Sequence, residues 1–234
     1  MVNSHVRRVL HSAVRYILQS MAFVLVFGVV LFLAAGNLAW FRGWAYLLYG
    51  LFLEVGTLLA LARKAPKTLY HRGTWRAGVK TYDKVFAIAW VVLSILVGPT
   101  VAGLNERLRS SPAPAASFFV GIVLLTLSTV FSVWAMLENE HFEQFVRIQE
   151  ERAHRVVTSG PYRVVRHPGY AGAIVGALSV PLILGSWWTF APAGGIALLF
   201  VIRTALEDRT LRRELEGYQA YTRQTRYRLF PGIW

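Results

Sequence analysis

The sequence contains no cysteine and few acidic residues. None of its 234 residues is cysteine, which excludes disulfide bonds, thiolate metal sites and a cysteine nucleophile. Asp and Glu number 12 against 25 Lys and Arg, and only 16% of the residues are charged, whereas 55% are hydrophobic. This shortage of charge, together with a mean hydropathy of +0.45, argues against a soluble domain.

Four long apolar stretches are nearly free of charged residues. They cover residues 17–40, 44–62, 85–104 and 115–137, and each is close to the roughly 20 residues that cross about 30 Å of hydrocarbon as an α-helix. The first stretch is longer than the apolar core of a secretory signal, so we expect it to be a membrane helix of the mature protein. The sequence therefore predicts four transmembrane helices.

The formal net charge of +13 would suit a nucleic-acid partner in a soluble protein, but its distribution follows membrane topology. Basic residues precede the first apolar stretch and fill the connection between the second and third: Arg7, Arg8, Arg15, Arg63, Lys64, Lys67, Arg72, Arg76, Lys80 and Lys84. The opposite connections carry only Arg42, Arg107 and Arg109. The positive-inside rule predicts a multi-pass protein of the cell (inner) membrane with both termini cytoplasmic. We expect the lipid bilayer, and no nucleic acid, as its partner.

The chain changes character after residue 137. Residues 138–168 are polar, residues 169–203 are apolar but interrupted by Pro181, Gly185 and Pro192, and residues 202–224 place apolar side chains at helical spacing among charges. The predicted fold class is an all-α integral membrane protein. It has a four-helix transmembrane region (1–137) and a cytoplasm-facing region (138–234), which contains a membrane helical hairpin (169–203) and a cytoplasmic amphipathic helix; the resemblance described below implies that this second region binds a cofactor.

The densest group of polar residues lies between positions 158 and 172. Pro168 can open a helix at its first position, and a helix N-terminus beside Arg166 and His167 favours a carboxylate or phosphate. Tyr162 and Tyr170 add flat surfaces and hydroxyl groups. These residues predict a site for a zwitterionic or anionic ligand with a planar ring; the alternative is that Arg166 and His167 anchor lipid headgroups.

Ionisable residues elsewhere in the chain are less specific indicators of a functional site. Arg203 and Glu207 are four residues apart and can pair on one helix face, either as part of a site or as a structural ion pair. Glu54 lies inside the second apolar stretch, where a carboxylate is costly, so it either belongs to a functional site or pairs with a neighbouring helix. His141 and His154 lack the spacing of a paired metal site on a helix, and no metal is predicted.

These motifs together resemble those of the isoprenylcysteine carboxyl methyltransferase family of integral membrane methyltransferases, which is related to the phospholipid methyltransferases. The matching elements are the run from His154 to Tyr162, the Arg-His-Pro-x-Tyr-x-Gly run from Arg166 to Gly172, an apolar hairpin, the pair Arg203 and Glu207, and the pair Tyr218 and Tyr221. The resemblance covers residues 140–234.

The resemblance implies an S-adenosylmethionine site formed by Gln149, His154, Arg155, Val156, Val157, Tyr162, His167, Pro168, Gly169, Tyr170 and Glu207. It also implies that Arg203 faces the substrate near the reacting group and that Arg203 and Glu207 are the catalytic residues. Asp208 stands where the family has the second residue of a Glu-Glu pair, and no role follows for it.

The implied activity is transfer of a methyl group from S-adenosylmethionine to a lipophilic acceptor such as a prenylcysteine carboxylate. Another isoprenoid, a phospholipid or a small thiol is equally compatible with the sequence. Two alternatives stay open. The C-terminal segment 226–234 also resembles that of membrane sterol reductases that use NADPH, and a non-catalytic lipid-binding membrane protein could keep the same architecture.

Overall fold

The structure is a computed structural model that describes residues 2–71, 78–110 and 112–234. Within these ranges it contains no β-strand, and most residues are helical. The helices are α1 (Val2–Ala35), α2 (Phe41–Lys64), α3 (Pro66–His71), α4 (Thr81–Val91), α5 (Gly98–Leu108), α6 (Ala115–Glu138), α7 (Pro168–Leu184), α8 (Phe190–Glu214) and α9 (Tyr218–Gln224). A π-helical turn, Val92–Val97, joins α4 to α5 in one continuous rod. Arg72 and Arg76, which contribute to the predicted charge asymmetry, lie outside the described residues.

Five helical segments are long and apolar enough to cross a membrane: His11–Ala35, Phe41–Lys64, Thr81–Leu108, Ala115–Glu138 and Trp187–Glu214. The first four correspond to the predicted transmembrane helices. Their outer faces expose large apolar side chains such as Leu33, Phe52 and Phe119, which suit contact with lipid. A helix also satisfies its own backbone hydrogen bonds, which lipid cannot do. The prediction of an all-α membrane protein is confirmed.

The C-terminal hairpin is present, but its second arm is longer than predicted. Helix α7 ends at Leu184, Gly185 adopts the left-handed conformation (φ 74°), and α8 begins at Phe190. The predicted amphipathic helix is not a separate element, because α8 continues through residue 202 to Glu214 and α9 follows a break at Gly217. No proline or glycine interrupts residues 196–214, so nothing in this sequence ends the helix at the membrane boundary.

Small residues allow the helices to approach closely. A Cβ atom on Gly121 of α6 would lie 2.6 Å from Ile183 of α7, and one on Gly103 of α5 would lie 2.5 Å from the Leu31 carbonyl oxygen of α1. Such close contacts replace the hydrophobic driving force that is lost between helices in lipid. They fix α7 against α6, and the N-terminal end of α7 then meets the polar segment 139–167. The proposed division of the chain at residue 137 stays a prediction.

Candidate active site

A polar cavity lies where the N-terminal end of α7 meets the segment 139–157 and the charged half of α8. All eleven residues predicted for the cofactor site line this one cavity: Gln149, His154, Arg155, Val156, Val157, Tyr162, His167, Pro168, Gly169, Tyr170 and Glu207. The cavity wall also contains residues that were not predicted for the cofactor site, including His141, Leu211 and Leu215. Arg203, predicted to face the substrate, is not among the lining residues.

The Arg166–His167–Pro168 run is held in place by the C-terminal segment. The backbone N–H groups of Arg166 and His167 donate to the carbonyl oxygens of Tyr227 and Arg228, both at 2.9 Å. Pro168 then begins α7, where its missing N–H costs nothing. A Cβ atom on Gly169 would lie 2.8 Å from the Phe142 ring, so a larger residue at this position would require the ring to shift.

Asp208 is the centre of a buried network behind the cavity. Its side chain is only 1% exposed, and its carboxylate lies 2.8 Å from Nε of Arg166, 3.0 Å from Nε of Arg212 and 3.1 Å from Nε of Arg228. The hydroxyl of Tyr218 donates to Asp208 at 3.0 Å and also lies 3.4 Å from Nε2 of His167. Asp208 therefore fixes residues of three chain segments, a role that the sequence did not reveal.

Glu207 faces the cavity with a hydroxyl partner and no cation. The hydroxyl of Tyr170 donates a short hydrogen bond to its carboxylate, and the Tyr170 ring stacks on His167 with centroids 5.6 Å apart and planes 6° apart. No Lys, Arg or His within the described ranges forms an ion pair with Glu207. The cavity therefore presents a half-buried carboxylate without an ion-pair partner among the described residues.

Arg203 pairs with Asp83 of α4 and not with Glu207, the partner that the helical spacing suggested. Its Nε lies 2.8 Å from Oδ1 of Asp83, and its Nη2 donates to Oδ2 of Asp83 at 3.1 Å and to the Gln144 carbonyl oxygen at 2.7 Å. The guanidinium also lies over the rings of Phe86 and Tyr170, 4.3 and 5.0 Å from their centroids. Arg203 is thus buried directly behind Tyr170.

The segment 139–157 forms the outer wall of the cavity. Gln149 lines the cavity, but its amide is already engaged, since Nε2 donates to the His141 carbonyl oxygen and Oε1 accepts from Arg152, both at 2.6 Å. The rings of His141 and His154 lie 4.7 Å apart. Burial lowers the pKa of both imidazoles, and that of His154 falls to about 4.

Two neutral imidazoles therefore lie on this wall at neutral pH. The buried ring nitrogens of His141 have no hydrogen-bond partner, and such groups in a cavity wall suit the hydroxyl or ring-nitrogen groups of a ligand.

Tyr162 links the cavity to α6 and α9. Its hydroxyl accepts a hydrogen bond from Nδ2 of Asn139 at 3.2 Å, and its carbonyl oxygen accepts from the Tyr221 hydroxyl at 2.7 Å and from Oγ1 of Thr225 at 3.1 Å. Burial raises the pKa of Tyr162, so the phenol stays protonated. Tyr221, noted in the sequence as part of the closing motif, thus supports the wall of the cavity.

Glu54 lies apart from this cavity. Its carboxylate accepts a hydrogen bond from the Tyr16 hydroxyl of α1 and lies 3.5 Å from Oγ of Ser20. This contact between α1 and α2 fits the second of the two sequence interpretations, pairing with a neighbouring helix. No cluster of three or more potential metal ligands occurs among the residues that the structure describes.

Comparison with known proteins finds a family that is similar to part of the chain. Residues 116–216 match the family described as phospholipid methyltransferase, and this segment contains α6, α7, α8 and most of the cavity wall. Over this segment, the chain is similar to the phospholipid methyltransferase family. This similarity supports the resemblance to membrane methyltransferases that the sequence motifs predicted.

Individual relatives agree with this assignment over part of their length. The chain is 33% identical over 67 residues to a probable protein-S-isoprenylcysteine O-methyltransferase of Oryza sativa subsp. indica, which covers 28% of this chain and 35% of that protein. It is 25% identical over 105 residues to protein-S-isoprenylcysteine O-methyltransferase B of Arabidopsis thaliana, covering 44% of this chain and 51% of that protein.

A third relative has a different name. The chain is 27% identical over 136 residues to the nickel-cobalt-cadmium resistance protein NccN of Alcaligenes xylosoxydans xylosoxydans, covering 58% of this chain and 59% of that protein. The match thus spans between about a third and three fifths of the length of these relatives.

Proposed function

We propose that this chain is an S-adenosylmethionine-dependent membrane methyltransferase that acts on a lipophilic acceptor. The observation that supports it most is that all eleven cofactor residues implied by the motifs line a single cavity. The wall offers an unpaired carboxylate for a cation, buried imidazole nitrogens without partners and aromatic rings. This set of groups fits a zwitterionic, cationic ligand with a planar ring.

The residues of the cavity would bind and orient the cofactor and the acceptor, and they need not form a covalent bond with either. When bound, S-adenosylmethionine would supply the methyl group: a bond would form between the acceptor's nucleophilic atom and the methyl carbon as the carbon–sulfur bond breaks, and S-adenosylhomocysteine would leave as a neutral thioether. Glu207 and Tyr170 would face the positive charge, and the buried wall would exclude water. The resemblance implies that Arg203 acts toward the acceptor group, and its guanidinium lies behind Tyr170, paired with Asp83.

The acceptor decides whether a proton must be removed. A carboxylate or thiolate is already anionic, so its attack needs no general base. An amine must lose a proton, and Glu207 or His167 at the cavity would then accept it. The apolar surfaces of the surrounding helices support a lipophilic acceptor that enters sideways from the bilayer, while the basic connections support a cytoplasmic position for the cavity and both termini.

The cofactor is tested by thermal unfolding of detergent-purified protein with S-adenosylmethionine, S-adenosylhomocysteine or NADPH. We expect stabilisation by the first two, about 2.7 kcal/mol at a concentration of 100 times Kd, and none by NADPH. Glu207→Gln should lose most of the stabilisation by S-adenosylmethionine, whereas Glu214→Gln, on the same helix but outside the cavity, should keep it. Stabilisation by NADPH alone would indicate a reductase. The absence of stabilisation by any of the three ligands would indicate a non-catalytic protein.

The acceptor is tested separately with radiolabelled methyl groups. Purified protein is incubated with labelled S-adenosylmethionine and either N-acetyl-S-farnesyl-cysteine or phosphatidylethanolamine vesicles, and the label is followed into the lipid fraction. Transfer to the first supports a carboxylate acceptor, and transfer to the second an amine. Cofactor binding without transfer to either lipid would contradict both acceptor classes.

A further inference from the structure

Asp83 lies at the start of α4, is fully buried, and is fixed by more than its pairing with Arg203. The backbone N–H of Val146 donates to its Oδ2 at 2.7 Å, and the N–H of Lys80 donates to the Val146 carbonyl oxygen at 3.2 Å. These bonds attach the beginning of α4 to the segment that forms the outer wall of the cavity. The carboxylate therefore has one defined position, against the guanidinium of Arg203.

This pairing has a consequence for Glu207, which lies one helical turn beyond Arg203 on α8. Residues four apart on a helix are neighbours on the same face, and opposite charges at this spacing attract. A buried arginine needs a carboxylate partner, because an unpaired charge is costly away from water. In the structure Asp83 meets this need, and Glu207 accepts only the hydroxyl of Tyr170.

We propose that Asp83 is a positioning residue that holds Arg203 away from Glu207 and so keeps the Glu207 carboxylate free to bind the cationic cofactor. This inference rests on the proposed cofactor. Without the charge of Asp83, the nearest carboxylate available to Arg203 is Glu207, and their pairing would neutralise the cavity. The cavity would then lose its preference for a positive charge while keeping its shape.

Two ligands separate charge from shape. S-adenosylmethionine carries a sulfonium, whereas S-adenosylhomocysteine has a neutral thioether and is otherwise nearly identical. The Kd of each is measured by calorimetry on detergent-purified protein. We expect Asp83→Asn to weaken S-adenosylmethionine binding about tenfold, since a partly buried charge pair interacts strongly, and S-adenosylhomocysteine binding less than threefold.

Two further variants identify the path of the effect. Asp83→Asn combined with Arg203→Met should bind both ligands with the same Kd ratio as Arg203→Met alone, because Glu207 then has no cation to capture. Asp83→Glu keeps the negative charge and should keep the wild-type ratio. Lys80→Gln is the matched control. Lys80 immediately precedes α4, and its Nζ lies 2.8 Å from the carboxylate of Glu214 on α8, so the substitution breaks an ion pair between the same two elements without contacting Arg203.

The inference is overturned if Asp83→Asn weakens the binding of both ligands equally, if the double variant does not show the Kd ratio of Arg203→Met alone, or if Asp83→Glu loses the wild-type ratio. If Asp83→Asn does not fold, the comparison of the double variant with Arg203→Met, and the Kd ratio of Asp83→Glu, still test the inference. Wild-type protein that binds neither ligand overturns the proposed cofactor, and this inference with it; wild-type binding with an unaltered ratio in Asp83→Asn overturns this inference alone.

Discussion

Replacement of Asp208 by Asn tests how much the network behind the cavity stabilises the protein. The substitution keeps the volume of the side chain but removes the charge that faces Arg166, whose side chain is 3% exposed. Arg212 and Arg228 also contact Asp208, but their side chains are 42% and 27% exposed, so water can solvate them after the change. Arg166 cannot move to water in the same way, and the cost of leaving it without its carboxylate dominates.

The magnitude follows from the remaining partners of Arg166. Removing one member of a buried ion pair costs about 3–5 kcal/mol. Arg166 still donates from Nη1 to the carbonyl oxygens of Thr225 and Arg226 at 2.8 and 2.7 Å, which places the expected loss near the lower limit, about 3 kcal/mol. For a chain of this length the midpoint of thermal unfolding should fall by about 6–12 °C.

The assay is thermal unfolding in detergent, followed by circular dichroism and without ligand. Glu214→Gln is the matched control, because it removes an acidic partner from an ion pair whose side chains are 31% and 42% exposed, and such pairs contribute less than about 1 kcal/mol. If Asp208→Asn lowers the midpoint no more than Glu214→Gln does, Asp208 is not the stabilising centre that its contacts indicate.

Two other predictions concern pH and topology. The pKa of His154 is about 4 in the folded protein against 6.5 in a model compound, chiefly because of burial, so the unfolded chain binds the extra proton first. The free energy of unfolding should be unaffected by His154 above pH 6.5. It should fall by about 2 kcal/mol, after a discount for partial exposure, as the pH drops toward 4. His154→Gln should flatten this pH dependence, and an equal slope in both proteins would contradict its assignment to His154. Because the chain has no cysteine, Leu38→Cys and Ile233→Cys, both at exposed positions, can be labelled one at a time with a membrane-impermeant maleimide. On intact cells we expect labelling of the first and not the second, and the reverse pattern would invert the proposed orientation.

Features set by local sequence were predictable, which explains why the predicted spans agree with the structure and why the residues predicted for the cofactor site lie around one cavity. The length of an apolar run decides whether a helix can cross the bilayer, and Pro168 begins α7 beside His167, Gly169 and Tyr170. The continuation of α8 was not predicted, because the change from apolar to charged residues after Arg203 was interpreted as a boundary. Polarity changes there, but the helical geometry does not.

Contacts between distant segments could not be derived from spacing. Arg203 has Glu207 at the favoured helical distance, yet it pairs with Asp83, which is 120 positions away in the chain. The choice is made by the packing of α4 against α8, which brings a fully buried carboxylate to the guanidinium. Asp208 was left without a role for the same reason, since its partner Arg166 is 42 positions away.

The neighbouring acids Glu207 and Asp208 illustrate how a helix separates two electrostatic roles. Successive side chains on a helix point about 100° apart, so Glu207 faces the cavity while Asp208 faces Arg166 and the C-terminal segment. Asp208 is surrounded by three arginines, whereas Arg203, one helical turn before Glu207, is bound by Asp83. Asp208 is thus neutralised and holds the structure together, whereas Glu207 forms no ion pair with any residue that the structure describes, which is the basis of its proposed role toward a cationic ligand. The shorter side chain of Asp208 is sufficient for its position because its partners pack directly around it.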